Sequence, residues 1–292
     1  MDNFNEKQLL SDFLENNFFI EDLIKTTKEK YNIYKKIKNN KARIIEAPSD
    51  KRKSYQKKIN AYFQKNIICP KYCFSGWKGK NNILNAKEHL GQNYYFTADI
   101  ERYYTNSTSQ HVIKWAEQQG LEDIWAKLFA DLTTCNGHLS TGSPASMILA
   151  TLIHKEIFDE IQQYAMEQDI KFTLYVDDIT LSGNKPISQD CIRYIEKLLY
   201  KHNLKLNKNK IKRFGYKGAH ITGIRLTKNK KLDIPHKKNY EIIKILSVKD
   251  ISAMTLKEVR LLLGKIGYIQ QIYPNRFKTT KFKAIAQLKK LT

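Results

Sequence analysis

The sequence predicts a mixed α+β fold, with short strands set between amphipathic helices. Two stretches carry the strand signal: F-T-L-Y-V-D-D-I-T-L-S-G at 172–183 and N-Y-Y-F-T-A-D-I at 93–100. Both are rich in β-branched and aromatic residues, which favour strands. Apolar residues recur at helical spacing in three regions. The spacing predicts two short amphipathic helices in residues 6–29, one helix at 50–68 and one long helical region at 109–134.

Three acidic residues interrupt the apolar strands. Asp177 and Asp178 stand side by side at the predicted hairpin tip, and Asp99 ends the other strand. Carboxylates that face one spot repel each other unless cations bind between them, and Mg²⁺ prefers such hard oxygen ligands. Two strands with three acids therefore predict a two-metal phosphoryl-transfer site, with ions roughly 3.5–4 Å apart. The alternative is a simple turn pair and an unrelated strand-end acid.

The charge balance points to a polyanionic partner. Lysine and arginine number 51 against 29 acidic residues, which gives a net charge of +22 over 292 residues. Nucleic acid is the partner that best offsets this charge. Membrane binding is disfavoured, because no apolar run reaches spanning length and the start, M-D-N-F-N-E-K, lacks a signal pattern. We therefore expect a cytoplasmic protein.

The cysteines are too few and too scattered to form a disulfide framework. Cys69 and Cys73, together with Cys135 and His138, could be drawn as a zinc site. The ligand spacing is loose, however, and the aromatic residues that flank the first pair are typical of packing. Packing is therefore the favoured interpretation.

A densely basic hairpin is predicted at residues 31–48, where two alternating segments flank Asn39-Asn40. Lys41 and Arg43 on this hairpin could close on a nucleoside triphosphate. Alternatively, they form a solvated, charged edge that prevents strand pairing. The following helix, 50–68, has a basic face suited to a nucleic-acid backbone, and a merely solvated face is equally compatible.

Two segments in the middle of the chain allow both structural and binding roles. Asn85 and His89 lie four residues apart on a short predicted helix, a spacing typical of a capping or core hydrogen-bond pair. Residues 139–152 form a loop of small residues that leads into an apolar helix, and Ser146 is placed to cap that helix. The small residues suit either a bound nucleotide or a tight helix–sheet contact.

The last third of the chain is lysine-rich. A helix is predicted at 190–202, and a strand at 219–226 is interrupted by Gly223, which indicates a bulge or a close backbone approach. A small basic helical module ends the chain, with predicted helical segments at 240–246, 256–272 and 277–291.

Taken together, these segments resemble the retron-type reverse transcriptases of bacteria across roughly residues 31–226. Y-x-D-D alone would be a weak signal, but several elements in the family's order are specific. The elements are N-A-K-E-H at 85–89, T-A-D-I-E-R-Y-Y at 97–104, G-S-P-A-S at 142–146, Y-V-D-D at 175–178 and I-T-G at 221–223.

The resemblance implies a right-hand polymerase. Its N-terminal helices and fingers lie at 1–92, a palm with an antiparallel sheet and interleaved fingers helices at 93–230, and a small basic helical thumb at 231–292. Such an enzyme copies a cognate structured non-coding RNA into DNA. Synthesis starts from a guanosine 2′-hydroxyl and leaves a branched RNA–DNA molecule. Retron systems typically act in anti-phage defence with a separate effector protein.

The resemblance also implies roles for individual residues. Asp99, Asp177 and Asp178 would be catalytic and hold two Mg²⁺ ions, with the Ile100 carbonyl as an extra ligand. Tyr104 would block a ribose 2′-hydroxyl and so select deoxynucleoside triphosphates. The other implied nucleotide-binding residues are Lys41, Arg43, Thr141 and Gly142, and the implied RNA-binding residues are Asn85, His89, Thr222 and Gly223.

Two departures from the family pattern concern the nucleotide site. Thr141 stands where the usual L-P-Q-G loop has glutamine, and Tyr103-Tyr104 replaces the commoner Phe-Phe. Two other functions remain open at this stage. One is a different bacterial defence reverse transcriptase without a branched primer, and the other is an RNA-binding scaffold that has lost catalysis.

Overall fold

The computed structural model describes residues 3–38 and 41–292, with side chains from residue 10 to 37 and from 42 onward. The chain forms two compact units. The first comprises 1–81, 96–181 and 187–212, and the second comprises 82–95, 182–186 and 213–292. Within the described ranges, none of the helices has the length and apolar character needed to cross a membrane.

Helices and short strands alternate along the described chain, which confirms the mixed α+β class. The helices are α1 (Asn3–Asn17), α2 (Ile20–Thr27), α3 (Asp50–Asn66), α4 (Asn82–Glu88), α5 (Tyr103–Asn106), α6 (Ser109–Gln118), α7 (Asp123–Thr133), α8 (Ser146–Ile153), α9 (Lys155–Glu167), α10 (Gln189–Lys201), α11 (His236–Val248), α12 (Leu256–Gln270) and α13 (Lys278–Leu291). The strands are β1 (Asn32–Lys38), β2 (Lys41–Ala47), β3 (Tyr94–Asp99), β4 (Thr134–Cys135), β5 (His138–Leu139), β6 (Lys171–Tyr175), β7 (Asp178–Gly183), β8 (Lys212–Phe214), β9 (Gly218–Ile221), β10 (Ile224–Thr227) and β11 (Leu232–Asp233).

The first unit contains the larger hydrophobic core. Its buried side chains come from the N-terminal helices, from α3 and from α6 to α10, together with the inner faces of β3, β6 and β7. Strands β6 and β7 are neighbours in a four-stranded sheet of order β6-β7-β3-β8. The Ile100 amide donates to the Asp177 carbonyl at 2.7 Å, so the end of β3 lies beside the turn between β6 and β7.

The predicted basic hairpin is confirmed as the antiparallel pair β1 and β2, with Lys36 opposite Arg43. The predicted turn at Asn39-Asn40 lies outside the described residues. Two short helices open the described chain, as predicted. Ser49 caps α3, and its hydroxyl accepts the Arg52 amide at 3.3 Å. This cap satisfies one of the free amides at the helix start.

Arg52 is a buried cation that joins several elements of the first unit. Its guanidinium donates to the carbonyls of Thr26, Thr27 and Glu29 at 3.0, 2.7 and 2.8 Å, and to that of Asp131 at 2.6 Å. Thr26 and Thr27 end α2, and Asp131 lies in the last turn of α7. Carbonyls at helix ends carry partial negative charge, so they stabilise a buried guanidinium.

Two helix predictions in the first unit need correction. Residues 109–134 do not form one continuous helical region, because α6 and α7 are separated at Gly120, which has φ +87°. Ser146 was predicted to cap α8, but Ala145 occupies the cap position and makes no side-chain bond. Ser146 is the first helical residue, and its buried hydroxyl has no hydrogen-bond partner among the described atoms.

The second unit has its own core, built from α4, the small sheet and the C-terminal helices α11 to α13. The sheet has the order β11-β10-β9 and is antiparallel. The predicted strand at 219–226 is in fact the hairpin of β9 and β10, and its turn is Thr222-Gly223. Gly223 has φ +83° and open space around it, so the turn conformation, not a bulge or a close approach, requires glycine.

Candidate active site

The structure brings the three predicted aspartates together in the first unit. Asp99, Asp177 and Asp178 each offer a carboxylate oxygen, and these oxygens lie within 4.8 Å of one another. Within the described part of the chain, no other group of three acidic, histidine or cysteine side chains meets this distance. The zinc site drawn from Cys69, Cys73, Cys135 and His138 is therefore not formed.

Backbone hydrogen bonds fix Asp99 at the end of β3. Its carbonyl accepts the Asn207 amide at 2.7 Å. Two residues further on, the Glu101 amide donates to the Lys205 carbonyl at 2.8 Å. The segment 205–207 thus pairs with the end of the strand, with Ile100 opposite Leu206. Asp99 consequently cannot shift along the strand without breaking these bonds.

Lys210 is a site residue that the sequence did not single out. Its ammonium lies 2.7 Å from an Asp99 carboxylate oxygen, on a side chain that is 52% exposed, whereas that of Asp99 is 14% exposed. Five other lysines and one arginine lie in residues 201–217, so composition alone gives no reason to choose Lys210. The contact depends on the fold of that segment against β3.

Burial and mutual repulsion disfavour negative charge in this cluster. Burial, followed by the charges of Asp177 and Asp99, raises the pKa of Asp178 to about 6. The pKa of Asp177 is also raised, by burial first and then by the Asp99 charge. A divalent cation would offset both effects, and three carboxylates supply the hard oxygen ligands that Mg²⁺ prefers. The donor set therefore fits a divalent metal site.

Tyr104 lies near enough to the cluster for the Asp177 charge to act on it. Burial, together with the nearby Asp177 charge, raises the pKa of Tyr104 well above its usual value. The neighbouring Tyr103 is buried, and its hydroxyl donates to the Ala150 carbonyl at 2.8 Å. The extra hydroxyl of Tyr103 thus has a partner within the core, and the ring of Tyr104 remains partly exposed.

The loop that holds Thr141 packs directly against the end of β2. The Thr141 hydroxyl donates to the Ile44 carbonyl at 3.2 Å and accepts the Glu46 amide at 3.3 Å. The Ser140 hydroxyl donates to the Glu46 carbonyl at 2.6 Å. A methyl group on Gly142 would lie 2.4 Å from that same carbonyl oxygen. The loop and the strand are therefore in close backbone contact.

The two basic residues predicted to bind nucleotide both lie on β2. Arg43 is exposed, and its charge acts to lower the pKa of Asp177. Arg43 is therefore placed to act on the acidic cluster electrostatically. Lys41 begins β2, but its side chain lies outside the described residues.

The predicted RNA-binding residues lie in the second unit, and two of them are fully buried. The Asn85 side-chain amide donates to the Thr222 hydroxyl at 3.3 Å, and that hydroxyl donates to the Asn82 carbonyl at 3.1 Å. His89 instead bonds Ser182, with 2.7 Å between the ring nitrogen and the hydroxyl oxygen. The structure thus joins Asn85 to the Thr222-Gly223 turn by hydrogen bonds and joins His89 to Ser182.

Thr222 has an uncommon backbone conformation for a β-branched residue, with φ +45°. The Asn82 side chain donates to the Thr222 carbonyl and to the Tyr268 hydroxyl, both at 2.9 Å. These bonds hold the turn from α4 and α12. The N-A-K-E-H and I-T-G elements, far apart in sequence, therefore form one hydrogen-bonded structure.

Comparison with known proteins gives a family that agrees with this site. The family model described as reverse transcriptase (RNA-dependent DNA polymerase) matches residues 28–226. This is more than half of the chain, and the chain belongs to the reverse transcriptase family.

Within the family, the chain is similar to retron reverse transcriptases. It is 23% identical to the retron Ec83 reverse transcriptase of Escherichia coli over 248 residues, which cover 80% of this chain and 79% of the relative. It is 25% identical to the retron Ec48 reverse transcriptase of the same species over 268 residues, covering 82% of this chain and 64% of the relative. For the retron Ec86 reverse transcriptase the identity is 27% over 164 residues, covering 55% of this chain and 51% of the relative.

Proposed function

We propose that the chain is the RNA-directed DNA polymerase of a retron and that it works by two-metal phosphoryl transfer at the aspartate cluster. The observation that carries the proposal is the convergence of Asp99, Asp177 and Asp178 within 4.8 Å. Their strands belong to the region that matches the reverse transcriptase family. Asp177 and Asp178 are half-buried and their pKa values are raised, which suits the cluster to divalent cations.

In the proposed mechanism the three carboxylates and the Ile100 carbonyl hold two Mg²⁺ ions. When bound, the ions polarise the α-phosphate, lower the pKa of the attacking hydroxyl and neutralise the charge that develops in the transition state. Asp99 contributes from a strand end that backbone bonds keep in place. Lys210 neutralises part of the Asp99 charge.

Nucleotide selection is proposed for residues around the cluster. The partly exposed ring of Tyr104 excludes a ribose 2′-hydroxyl and so favours deoxynucleoside triphosphates. Arg43 and Lys41 bind the triphosphate from β2, since cationic side chains form strong bonds with phosphate oxygens. Thr141 and Gly142 shape this site by holding their loop against the backbone of β2.

We assign the polymerase subdomains as predicted, with fingers at 1–92, palm at 93–230 and thumb at 231–292. These subdomains are defined by the role proposed for each segment in synthesis. The two compact units are defined by which residues pack together. The aspartate cluster lies within the proposed palm. The three C-terminal helices, with their many lysines, supply the proposed thumb.

The proposed template is a cognate structured non-coding RNA, and the proposed product is branched multicopy single-stranded DNA. The charge of +22 supports a nucleic-acid partner. Since Asn85 and His89 are buried, we propose that they act on RNA recognition by shaping the Thr222-Gly223 turn and its surroundings. A cytoplasmic role in anti-phage defence with a separate effector protein completes the proposal.

The experiment is to express the chain with the DNA that flanks its gene and to analyse the nucleic acid that co-purifies. The sample is treated with RNase and, separately, with debranching enzyme before electrophoresis. We expect a discrete single-stranded DNA whose mobility changes on debranching. DNA without a branch would favour a different defence reverse transcriptase, and RNA alone would favour a non-catalytic scaffold.

Asp177→Asn tests the metal assignment in the same experiment. We expect this variant to make no DNA and to retain bound RNA, because it removes a charge from the cluster without altering the basic surfaces. Asp190→Asn is the matched control, since Asp190 lies on α10 with its side chain 84% exposed. DNA synthesis by Asp177→Asn at the wild-type level would refute the assignment.

A further inference from the structure

The turn that carries the aspartate pair has a backbone conformation that its sequence does not favour. Val176 has φ +58°, in the left-handed region. β-Branched residues rarely adopt this region, because the side chain crowds the neighbouring carbonyl. The turn therefore needs external contacts to keep the conformation that places Asp177 and Asp178.

Two hydrogen bonds supply such contacts, one on each side of the turn. The Val176 amide donates to the Ser75 hydroxyl oxygen at 2.7 Å. The Ile100 amide donates to the Asp177 carbonyl at 2.7 Å. The second bond joins two backbone groups. Of these two bonds to the turn, therefore, only the one from Val176 depends on a side chain, that of Ser75.

Ser75 is itself held firmly in the first unit and is only 3% exposed. The chain just before it pairs with β6, where the Phe74 amide donates to the Leu174 carbonyl at 2.9 Å and the Leu174 amide donates to the Tyr72 carbonyl at 2.8 Å. The following residue, Gly76, has φ +82° and approaches α8 so closely that a methyl group there would lie 3.0 Å from Ile148. A hydroxyl in so fixed a segment can act as a rigid support.

We propose that Ser75 is a positioning residue for DNA synthesis: its hydroxyl holds the Val176 amide and thereby keeps Asp177 and Asp178 in their metal-binding geometry. This inference rests on the proposed function of the aspartate cluster. Ser75 touches no reacting atom and acts through the backbone of the turn. Its loss lowers the rate of the chemical step, because misplaced ligands bind the ions in a less productive geometry.

The test compares Ser75→Thr with Ser75→Val. These two side chains have nearly the same shape, so any crowding from the added methyl group is common to both, and only the hydroxyl differs. We measure single-nucleotide incorporation on a primed RNA template at saturating Mg²⁺. We expect Ser75→Val to lose about tenfold in kcat, equivalent to ~1.4 kcal/mol, and Ser75→Thr to stay within about threefold of wild type.

The apparent KM for the deoxynucleoside triphosphate separates positioning from nucleotide binding. We expect it to stay within about twofold of wild type in both variants, because the proposed triphosphate contacts lie on β2 and in the 141–142 loop. The Mg²⁺ concentration that gives the half-maximal rate is expected to rise in Ser75→Val and not in Ser75→Thr. A loss of activity confined to KM would overturn the inference.

Thr133→Val is the matched control for losing a buried hydroxyl. Thr133 is fully buried in α7, and its hydroxyl donates only to carbonyls of its own helix, those of Phe129 and Ala130. We expect wild-type kinetics from this variant. If thermal melts show that Ser75→Thr and Ser75→Val are unfolded at the assay temperature, Ser75→Ala replaces them, because it adds no atoms. We again expect a tenfold loss in kcat.

The results separate failure of this inference from failure of the proposed function. If Asp177→Asn is inactive while Ser75→Val and Ser75→Thr have equal rates, the cluster is catalytic and the role of the Ser75 hydroxyl is refuted. If Asp177→Asn polymerises at the wild-type rate, the proposed function itself fails, whatever the Ser75 variants do.

Discussion

Gly142→Ala is the substitution whose effect the structure defines most sharply. The added methyl carbon would lie 2.4 Å from the Glu46 carbonyl oxygen, 2.9 Å from its carbon and 3.1 Å from the Ala47 Cα. Ordinary contacts begin at 3.4 Å, so the loop and β2 must separate by about 1 Å. The obstructing atoms belong to the backbone, so no rotation of a side chain can relieve the overlap.

This separation breaks the hydrogen bonds that join the loop to β2. The Ser140 bond to the Glu46 carbonyl is 2.6 Å long and lies at the point of overlap, and both Thr141 hydroxyl bonds are close to it. Net loss of two or three such bonds costs about 1 kcal/mol each. Arg43 precedes Glu46 by three residues on β2, so the displacement moves its guanidinium too. A misplacement of about 1 Å can cost up to ~10²-fold in rate.

The assay is steady-state incorporation of a single deoxynucleotide, with kcat and KM measured separately. We expect kcat/KM to fall by about 10- to 100-fold, chiefly through KM, and the melting temperature to fall by several degrees. Gly264→Ala is the control, because Gly264 lies in α12 and, apart from its chain neighbours and the local backbone of its own helix, no described atom lies within 4 Å of an added methyl group. Wild-type kinetics and melting of Gly142→Ala would refute the close-contact argument.

Two further predictions concern stability. Because the pKa of Asp178 in the folded protein is about 6 and its ordinary value is 3.8, wild-type stability falls as pH rises through this interval. In Mg²⁺-free buffer the free energy of unfolding of Asp178→Asn should therefore exceed that of wild type by on the order of 1–3 kcal/mol above pH ~6, and this difference should vanish below pH ~4. Urea denaturation at both pH values measures the difference. A difference that does not change with pH would contradict the prediction. Arg52→Lys should lower stability by about 2–4 kcal/mol, because one ammonium cannot replace the guanidinium at four carbonyls. Lys53→Met is the control, because Lys53 is the exposed neighbour of Arg52. Its free energy of unfolding in the same urea denaturation should lie within ~0.5 kcal/mol of wild type. An equal loss of stability in both variants would refute the role of Arg52.

Local sequence pattern was sufficient where an element is stabilised by its own periodicity. The basic hairpin, the two opening helices and the C-terminal helices follow from apolar spacing, and the structure confirms them. Pattern failed where backbone conformation decides the outcome. Gly223 was interpreted as an interruption within one strand, but it forms a hairpin turn with Thr222, whose positive φ no local propensity predicts.

The clustering of the three acids was predictable because it depends on residue type. Three acids in two apolar strands indicated a metal site, since isolated carboxylates in such surroundings are unfavourable. The supporting contacts were not predictable. Lys210 contacts Asp99 across 111 residues and Thr141 contacts Ile44 across 97, and a sequence contains no signal for such distant pairs.

The sequence by itself determined the mixed α+β class, the acidic residues proposed as metal ligands and the large positive charge, because composition, periodicity and charge are properties of the chain. Tertiary structure alone decided how the acids are held. The Val176 amide lies within hydrogen-bonding distance of the Ser75 hydroxyl because the segment before Ser75 pairs with β6. The pKa of Asp178 is raised because folding partly buries this residue beside two other carboxylates. Hydrogen bonds and burial depend on distances between remote residues, and folding sets those distances.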